Sequence, residues 1–485
     1  MKITKNIVNP LRPRIRLTSF CNRHCSYCFA RDYLKTERDK MEISLFDMER
    51  ILKLCADEGI TLVGWQGGEP LLHSNIEAII NLQKKYNVSV MLFSNALVDL
   101  EKMKNLKDVV RQVLINCNEP STYSQEEWLL LNKNIDLFAE YLGQKNVALG
   151  INVYKSDMDT EFIVDLAVKH QIHEVRIDMT RPAPSHENVF VEFDKIRELL
   201  PVLTDLIDKL SEKGIEVPHF DCPFPICMLN DREKEYVSKY MYDDYKYGMC
   251  RTSLDFTTDS KLSSCFCSIP MNNIIIEDFD GLFHAWLCIE YYENIIRWER
   301  CTIDTCNSCQ YHEQRICQGG CLGFKISKAE YISKSTLFST LERLPHNYLN
   351  RLAKAYGYFF TRNYELCLLI VTQLHNEYYY DRTEWLFIMC SLIVHEEVNM
   401  PAIEEFIKNN SYPAVRGVDL ASVLYEQEKY RECYEVLSFT YDLCDNRSIG
   451  YKKLVLACIN ITKKLGRFNR LADYVKALAA NTHSS

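Results

Sequence analysis

Three cysteines stand close together near the N-terminus, in Thr18-Ser19-Phe20-Cys21-Asn22-Arg23-His24-Cys25-Ser26-Tyr27-Cys28. Thiolates at such short spacing are metal ligands in a reducing compartment. Four would complete a cubane iron–sulfur cluster, one per iron. Three leave one iron open for a substrate or cofactor. A zinc site on the same thiols plus His24 is the alternative. His24 is the immediate neighbour of Cys25, which makes joint chelation awkward. A second set lies at Cys306, Cys309, Cys317 and Cys321, with Cys250 and Cys265 upstream. Auxiliary clusters or a structural zinc ribbon would both use it. Cys222 and Cys227, in Asp221-Cys222-Pro223-Phe224-Pro225-Ile226-Cys227, are further ligands or loop residues.

These groups need a scaffold, and the first 220 residues supply an alternating one. Short β-branched or apolar runs fall at 14–19, 61–66, 88–93, 112–116, 147–153 and 174–178. Segments with helical spacing lie between them, at 44–58, 74–85, 126–142 and 160–170. Six strand–helix units in a row predict an α/β fold with a parallel sheet and right-handed crossovers. Six is too few for a full eight-stranded barrel, so a partial (β/α)6 barrel is expected. Chemistry in such sheets sits at the C-terminal strand ends. Cys21, Cys25 and Cys28 follow the first strand there. Gly67-Gly68-Glu69-Pro70 follows the second, and Ser94-Asn95 the third. Asn116, Asn152 and Arg181 end strands four, five and six. Each is a candidate polar contact or a plain turn residue.

On these residues the chain resembles the radical S-adenosylmethionine (SAM) enzymes. Cys21-x3-Cys25-x2-Cys28, with aromatic Tyr27 before the last cysteine, is similar to their defining motif. Gly67-Gly68-Glu69-Pro70 is similar to the motif that contacts the SAM amino group. The resemblance covers about the first 220 residues. It implies a [4Fe-4S] cluster on the three cysteines, with SAM chelating the open iron. Reduction would then cleave SAM to a 5′-deoxyadenosyl radical that abstracts a substrate hydrogen. It also implies SAM contacts from Ser94 and Asn95 and an electron donor such as a flavodoxin or ferredoxin; Asn152 and Arg181 are candidate SAM or substrate contacts from their strand ends, and Tyr27 is either adenine packing or core.

Cys306-x2-Cys309-x7-Cys317-x3-Cys321, with Gly319-Gly320 inside, resembles the SPASM cysteine domain of peptide-modifying radical SAM enzymes. Cys250 and Cys265 would be its upstream pair. The resemblance implies one or two auxiliary [4Fe-4S] clusters. Three departures bear on the number. Seven residues precede the third cysteine where five are usual, Ser260 replaces an expected glycine, and no cysteine lies between Cys321 and Cys367.

Beyond Leu337 the chain reads helical. Ala355, Tyr364 and Cys367 share their spacing with Ala421, Tyr430 and Cys433. Cys390 with Ala402, and Ile459 with Leu471, repeat the separation. The period resembles tetratricopeptide (TPR) repeats, in which small residues let paired helices pack closely. On that reading Cys367, Cys390 and Cys433 are packing residues. The expected domains are a radical SAM barrel at 1–220, a SPASM-like cluster domain at 221–335, and an all-α TPR-like solenoid at 336–485.

Composition bounds the rest. The chain has 485 residues, 47% of them hydrophobic, with a net charge of −9. That excludes a largely disordered chain and counts against broad nucleic-acid binding, which needs a basic footprint. No apolar run approaches a membrane span, and no secretory signal follows Lys2 and Lys5. A cytoplasmic location is expected. The parts together suggest an enzyme that matures a ribosomally made peptide or protein by cross-linking, epimerisation or oxidation, its substrate held by the C-terminal repeats. Epimerisation needs a hydrogen donor, for which Cys117, after the fourth strand, is the candidate against simple packing. The alternatives are a radical SAM enzyme acting on a small cofactor precursor, and a non-catalytic iron–sulfur sensor or scaffold.

Overall fold

A computed structural model describes residues 11–217, 226–234, 252–265, 271, 273–299, 303–313, 317–325, 332–395, 398–410, 413–444, 451–467 and 469–482. Cys222 and Cys250 lie outside the described residues. The chain divides into two compact units, one comprising Pro10–Asn230 with Tyr247–Leu341 and the other built on Glu342–Ser485.

The first unit is organised by a single sheet. Its strands are β1 (Arg14–Arg16), β2 (Leu62–Gln66), β3 (Ser89–Ser94), β4 (Val110–Asn116), β5 (Val147–Val153) and β6 (Val175–Met179). They lie side by side in chain order, and every neighbouring pair is parallel. Parallel neighbours need long crossovers. Four of these are the helices α1 (Leu45–Asp57), α2 (Ile76–Tyr86), α3 (Gln125–Leu142) and α4 (Glu161–Lys169), and α5 (Leu200–Glu212) follows β6. Inward-facing Ile15, Val63, Trp65, Val90, Leu92, Ile115, Leu149 and Ile177 are fully buried. They meet the apolar stripes of the helices, such as Met48, Ile51, Leu52 and Cys55 of α1. Side chains fix the helix starts: Ser44 accepts the Asp47 N–H at 3.0 Å, and Ser124 and Glu127 form a reciprocal capping box at α3.

The sheet does not stop at β1. Two short strands, β7 (Asp255–Phe256) and β8 (Leu262–Ser263), extend it beyond β1, so its order is β6-β5-β4-β3-β2-β1-β7-β8. The cysteine-rich segment thus begins by adding strands to the sheet and shares its compact unit. Gln66 Nε2 reaches across to the fully buried Asp255 carboxylate at 3.0 Å. Helix α6 (Leu282–Glu299) is tied back to α1, because the Glu58 carboxylate accepts the N–H groups of Leu282 (2.6 Å) and Phe283 (3.0 Å). A carboxylate there satisfies orphan donors and faces the positive end of the helix dipole. A short helix, α7 (Lys334–Leu341), packs on α6 and ends the unit.

The second unit is helical. Its elements are α8 (Tyr348–Phe360), α9 (Tyr364–Glu377), α10 (Asp381–His395), α11 (Met400–Asn409), α12 (Pro413–Glu426), α13 (Tyr430–Leu443), α14 (Tyr451–Lys464) and α15 (Leu471–Thr482). Each packs on the next, and α8, α10, α12 and α14 also pack in succession. Ala355, Cys390 and Ala421 sit buried on that succession, and Cys367 and Cys433 are buried on the intervening helices. The Cys390 and Cys367 sulfurs are 3.2 Å apart. No described helix is long and apolar enough to cross a membrane.

Candidate active site

The cysteine loop and the glycine pair are laced together by backbone. The chain leaving β1 runs beside the chain leaving β2. Leu17 N–H donates to Gln66 O at 2.9 Å, Gly68 N–H to Thr18 O at 2.8 Å, and Glu69 N–H to Phe20 O at 2.8 Å. A Cβ on Gly67 would lie 2.4 Å from Thr18 O, and one on Gly68 only 2.0 Å from Phe20 O. Only glycine lets the two segments approach this closely, and the approach fixes the backbone entering Cys21.

Glu69 extends the lacing to β3. Its side chain is fully buried. The carboxylate accepts the Asn95 N–H at 2.7 Å, the Ser94 hydroxyl at 2.9 Å and the Leu71 N–H at 3.2 Å. Burial pushes this carboxyl up to about 7, against the pull of those three donors. Pro70, also buried, opens the short helical turn Pro70–Leu72 that follows.

The three thiols are half-buried in the loop after β1. Burial pushes the Cys21 thiol up to about 12 and that of Cys28 up to about 11. Amide donors nonetheless point at the sulfurs. The Arg23 backbone N–H is 3.4 Å from Cys21 Sγ, Asn95 Nδ2 is 3.6 Å from it, and Asn118 Nδ2 is 3.6 Å from Cys25 Sγ. Asn95 is braced by its donation to Asn22 Oδ1 at 2.8 Å.

Asn118 ends a chain of side chains that crosses two strand ends. Asn152 Nδ2 donates to Asn116 Oδ1 at 2.7 Å, and Asn116 Nδ2 donates to the Tyr27 hydroxyl at 3.0 Å. The Tyr27 hydroxyl donates to Asn118 Oδ1. The Tyr27 ring is buried and stacks on Tyr154 with centroids 5.2 Å apart. Nothing in the sequence motifs singles out Asn118. The usable signal is its period-two relation to Asn116, which puts both on one side of the extended chain.

Arg181 sits after β6, its guanidinium 3.8 Å from Asp178 and 5.7 Å from the centre of the Phe29 ring. Cys117 is fully buried, with its thiol toward Ile115 O at 3.5 Å, and burial pushes it up to about 12. As placed it is an interior packing thiol. A cavity of about 380 Å³ opens beside the glycine pair, lined among others by Arg16, Thr18, Tyr33, Lys35, Gly67 and Gly68. That volume lies at the small end of small-molecule sites.

The second cysteine set lies in the same unit. Cys306, Cys317 and Cys321 are buried and Cys309 half-buried. Gly319 N–H donates to Cys317 Sγ at 3.3 Å, and Gly323 N–H to Cys321 Sγ at 3.4 Å. Cys265 is half-buried just past β8, where its carbonyl accepts the Ser263 hydroxyl at 3.1 Å.

The first set suits the [4Fe-4S] cluster that a radical SAM domain implies. A thiol raised by burial ionises once a cationic centre binds it. Amide N–H groups aimed at sulfur are the partners that tune such centres. No three His, Cys, Asp or Glu side chains among the described residues converge on a point that could hold a single metal ion.

Residues 15–142 match the family model described as the Radical SAM superfamily. They form a radical SAM domain. The GTP 3′,8-cyclase of Nautilia profundicola is 31% identical over 97 residues, 20% of this chain and 30% of that protein. The GTP 3′,8-cyclase of Desulforamulus reducens is 22% identical over 202 residues, 40% of this chain and 54% of that protein. The chain thus spans about a third to a half of the length of these curated relatives. Among solved structures, Streptococcus suis SuiB bound to S-adenosylmethionine aligns with a TM-score of 0.46 and 17% identity, over 69% of this chain and 79% of that one. HydG, a maturase of the [FeFe]-hydrogenase, aligns with a TM-score of 0.36 and 11% identity, over 90% and 85%.

Proposed function

We propose that the chain is a radical SAM enzyme acting on a peptide or protein. Cys21, Cys25 and Cys28 would each ligate one iron of a [4Fe-4S] cluster, and SAM would take the fourth. The observation that carries this reading is the backbone lacing of Gly67-Gly68-Glu69 onto residues 17–20, which sets the glycine pair against the thiol loop. When bound and reduced, the cluster and SAM supply a 5′-deoxyadenosyl radical for hydrogen abstraction. The residues do the positioning. Gly67 and Gly68 keep side chains out of the space beside the loop. Glu69 uses three of its roughly four acceptor positions to hold Leu71, Ser94 and Asn95. The remaining position suits the SAM amino group. Asn95, Asn118 and the Arg23 N–H direct donors at the ligating sulfurs. Asn152 and Arg181 stand at strand ends where they would meet SAM or substrate.

The peptide assignment rests on the remaining parts. The buried thiols of Cys306, Cys317 and Cys321, with backbone N–H groups on the last two, support a SPASM-like domain carrying one or two auxiliary clusters. Cys250 and Cys265 would be its upstream ligands. The paired helices of the second unit, with small residues buried along their succession, support TPR-like repeats that hold the substrate. A flavodoxin or ferredoxin would deliver the electron, in the cytoplasm. A second reading, a small-molecule substrate, is favoured by the curated relatives, which are named as GTP cyclases.

The test is anaerobic formation of 5′-deoxyadenosine from SAM and a reductant. Cleavage abolished by Cys25→Ala is expected. A rate raised by a synthetic peptide pool supports the first reading, and one raised by GTP supports the second. No cleavage by the iron-loaded protein would leave a sensor or scaffold.

A further inference from the structure

The cavity of about 380 Å³ beside the glycine pair holds a buried cation that the SAM reading does not use. Gly67 and Gly68 line it from the end of β2, and the β7–β8 hairpin lines it through Thr257, Lys261 and Ser263. Arg16, the last residue of β1, lines it too, at only 3% exposure. Its guanidinium lies between two other lining residues. Nη2 donates to the Ser263 hydroxyl at 3.1 Å, and the centre of the Tyr33 ring is 4.7 Å away. The Ser263 hydroxyl in turn donates to Cys265 O at 3.1 Å, which holds this contact in place.

Sheet register ties Arg16 to the rest of the site. Arg16 pairs with Gln66, and counting by twos through the parallel partners puts Arg16, Gln66, Asn116 and Asn152 on one face of the sheet. The other face carries the buried row Ile15, Leu92 and Ile115. The charge of the cavity wall is also uneven. Among the described residues, Arg16, Lys35 and Lys261 line it against Asp32 and Asp259, three cations to two carboxylates. Asp259 is paired with Lys261 at 2.7 Å and accepts the Thr257 hydroxyl at 2.6 Å. Asp32 accepts the Ser185 N–H at 2.6 Å. A guanidinium held in a wall of this kind takes a carboxylate through its planar fork of N–H donors. The volume, at the small end of ligand sites, suits one side chain of an extended peptide better than a whole nucleotide.

We propose that this cavity is a substrate subsite for an acidic residue, an Asp or Glu carboxylate of the peptide held by Arg16, with Lys35 as the second charge. The inference rests on the radical SAM reading of the site, because Gly67 and Gly68 border both the cavity and the cysteine loop. It narrows the peptide substrate to one with a carboxylate close to the carbon that loses its hydrogen.

The experiment reads binding, on the iron-loaded full chain with SAM and without reductant, so that no cleavage is needed. The probes are two dansylated, C-terminally amidated pentapeptides, Ala-Ala-Glu-Ala-Ala and Ala-Ala-Gln-Ala-Ala. The Glu peptide is expected to bind about tenfold tighter. Arg16→Gln should erase the difference. Lys35→Glu, at an exposed position that leaves the fold intact, should weaken the Glu peptide about threefold and spare the Gln peptide. It decides the matter if the Arg16 variant fails to fold. Equal affinities for the two peptides overturn the proposal, as does a Glu preference that survives Lys35→Glu and a folded Arg16→Gln. Displacement of the Glu peptide by GTP but not by N-acetylglutamate also overturns it, and assigns the cavity to phosphate. Glu-selective binding without 5′-deoxyadenosine formation under reductant would keep the subsite and sink the enzymatic reading. SAM cleavage with equal peptide affinities would do the reverse.

Discussion

The side-chain amide of Asn118 points at Cys25 Sγ from 3.6 Å while its carbonyl oxygen accepts the Tyr27 hydroxyl. One residue thus joins the Cys25 sulfur to the strand-end chain of Asn116 and Asn152. Hydrogen bonds to sulfur raise the reduction potential of an iron–sulfur centre. Asn118→Ala is therefore expected to make the potential of the first cluster more negative, read by EPR-monitored redox titration. Tyr27→Phe keeps the ring on Tyr154 but strands Asn118 Oδ1. It should cost about 1–3 kcal/mol in urea unfolding and shift the potential less. Equal potentials in wild type and Asn118→Ala would remove the amide from this role.

Glu69 makes the site sensitive to pH. Its carboxyl is held at about 7, above the ordinary value of 4.5, because burial disfavours the charge. A raised carboxyl stabilises the fold below its unfolded value. That contribution is lost as pH rises through about 7. The whole swing is about 3 kcal/mol. Glu69→Gln cannot ionise. The melting temperature of the variant should therefore gain on that of wild type between pH 5 and pH 8. A gap independent of pH would show that burial does not hold this proton.

The glycine pair invites a steric test. A methyl on Gly68 would meet Phe20 O at 2.0 Å, and backbone cannot rotate away as a side chain can. Gly68→Ala should cost about 3 kcal/mol through overpacking. It should also displace residues 18–21, with a matching loss of iron on reconstitution. Wild-type stability and iron content in the variant would mean that the two segments are free to separate.

Much of this architecture was legible because the physics behind it is local. Runs such as Val147–Val153 must be strands when buried on both faces, and the glycine pair after β2 stands out against a chain poor in glycine. β7 and β8 were not legible. Each has two residues, too short for any period, and they exist because Asp255 and Phe256 pair with Arg14 and Ile15 far away in sequence. The same limit applies at the site. Cys21, Cys25 and Cys28 announce themselves by spacing. The partners of Asn118 come from distant segments and are set only by folding. The boundary expected at 220 illustrates it too. Composition changes there, but the segment beyond it adds strands to the same sheet.

The helical unit offers a contrast between two glycines in helix interiors. Gly357 in α8 has nothing within 4 Å of a would-be Cβ. An alanine there removes the backbone entropy cost of glycine and adds no clash. Gly357→Ala should therefore stabilise by about 1 kcal/mol. Gly417 in α12 faces the buried Thr440 of α13, whose Oγ1 would lie 2.2 Å from the new methyl. The Thr440 hydroxyl already donates to Val436 O at 2.6 Å, which anchors the side chain in place. The two helices approach this closely only because position 417 lacks a Cβ. Gly417→Ala gains the same helix propensity but must force α12 and α13 apart, for a net loss of about 1–2 kcal/mol. Thr440→Ala should recover part of that loss when combined with it, since it removes the hydroxyl and methyl that collide. Thermal unfolding of the four chains reads the signs directly. Stabilisation by both glycine substitutions would mean that the α12–α13 contact is looser than Gly417 implies.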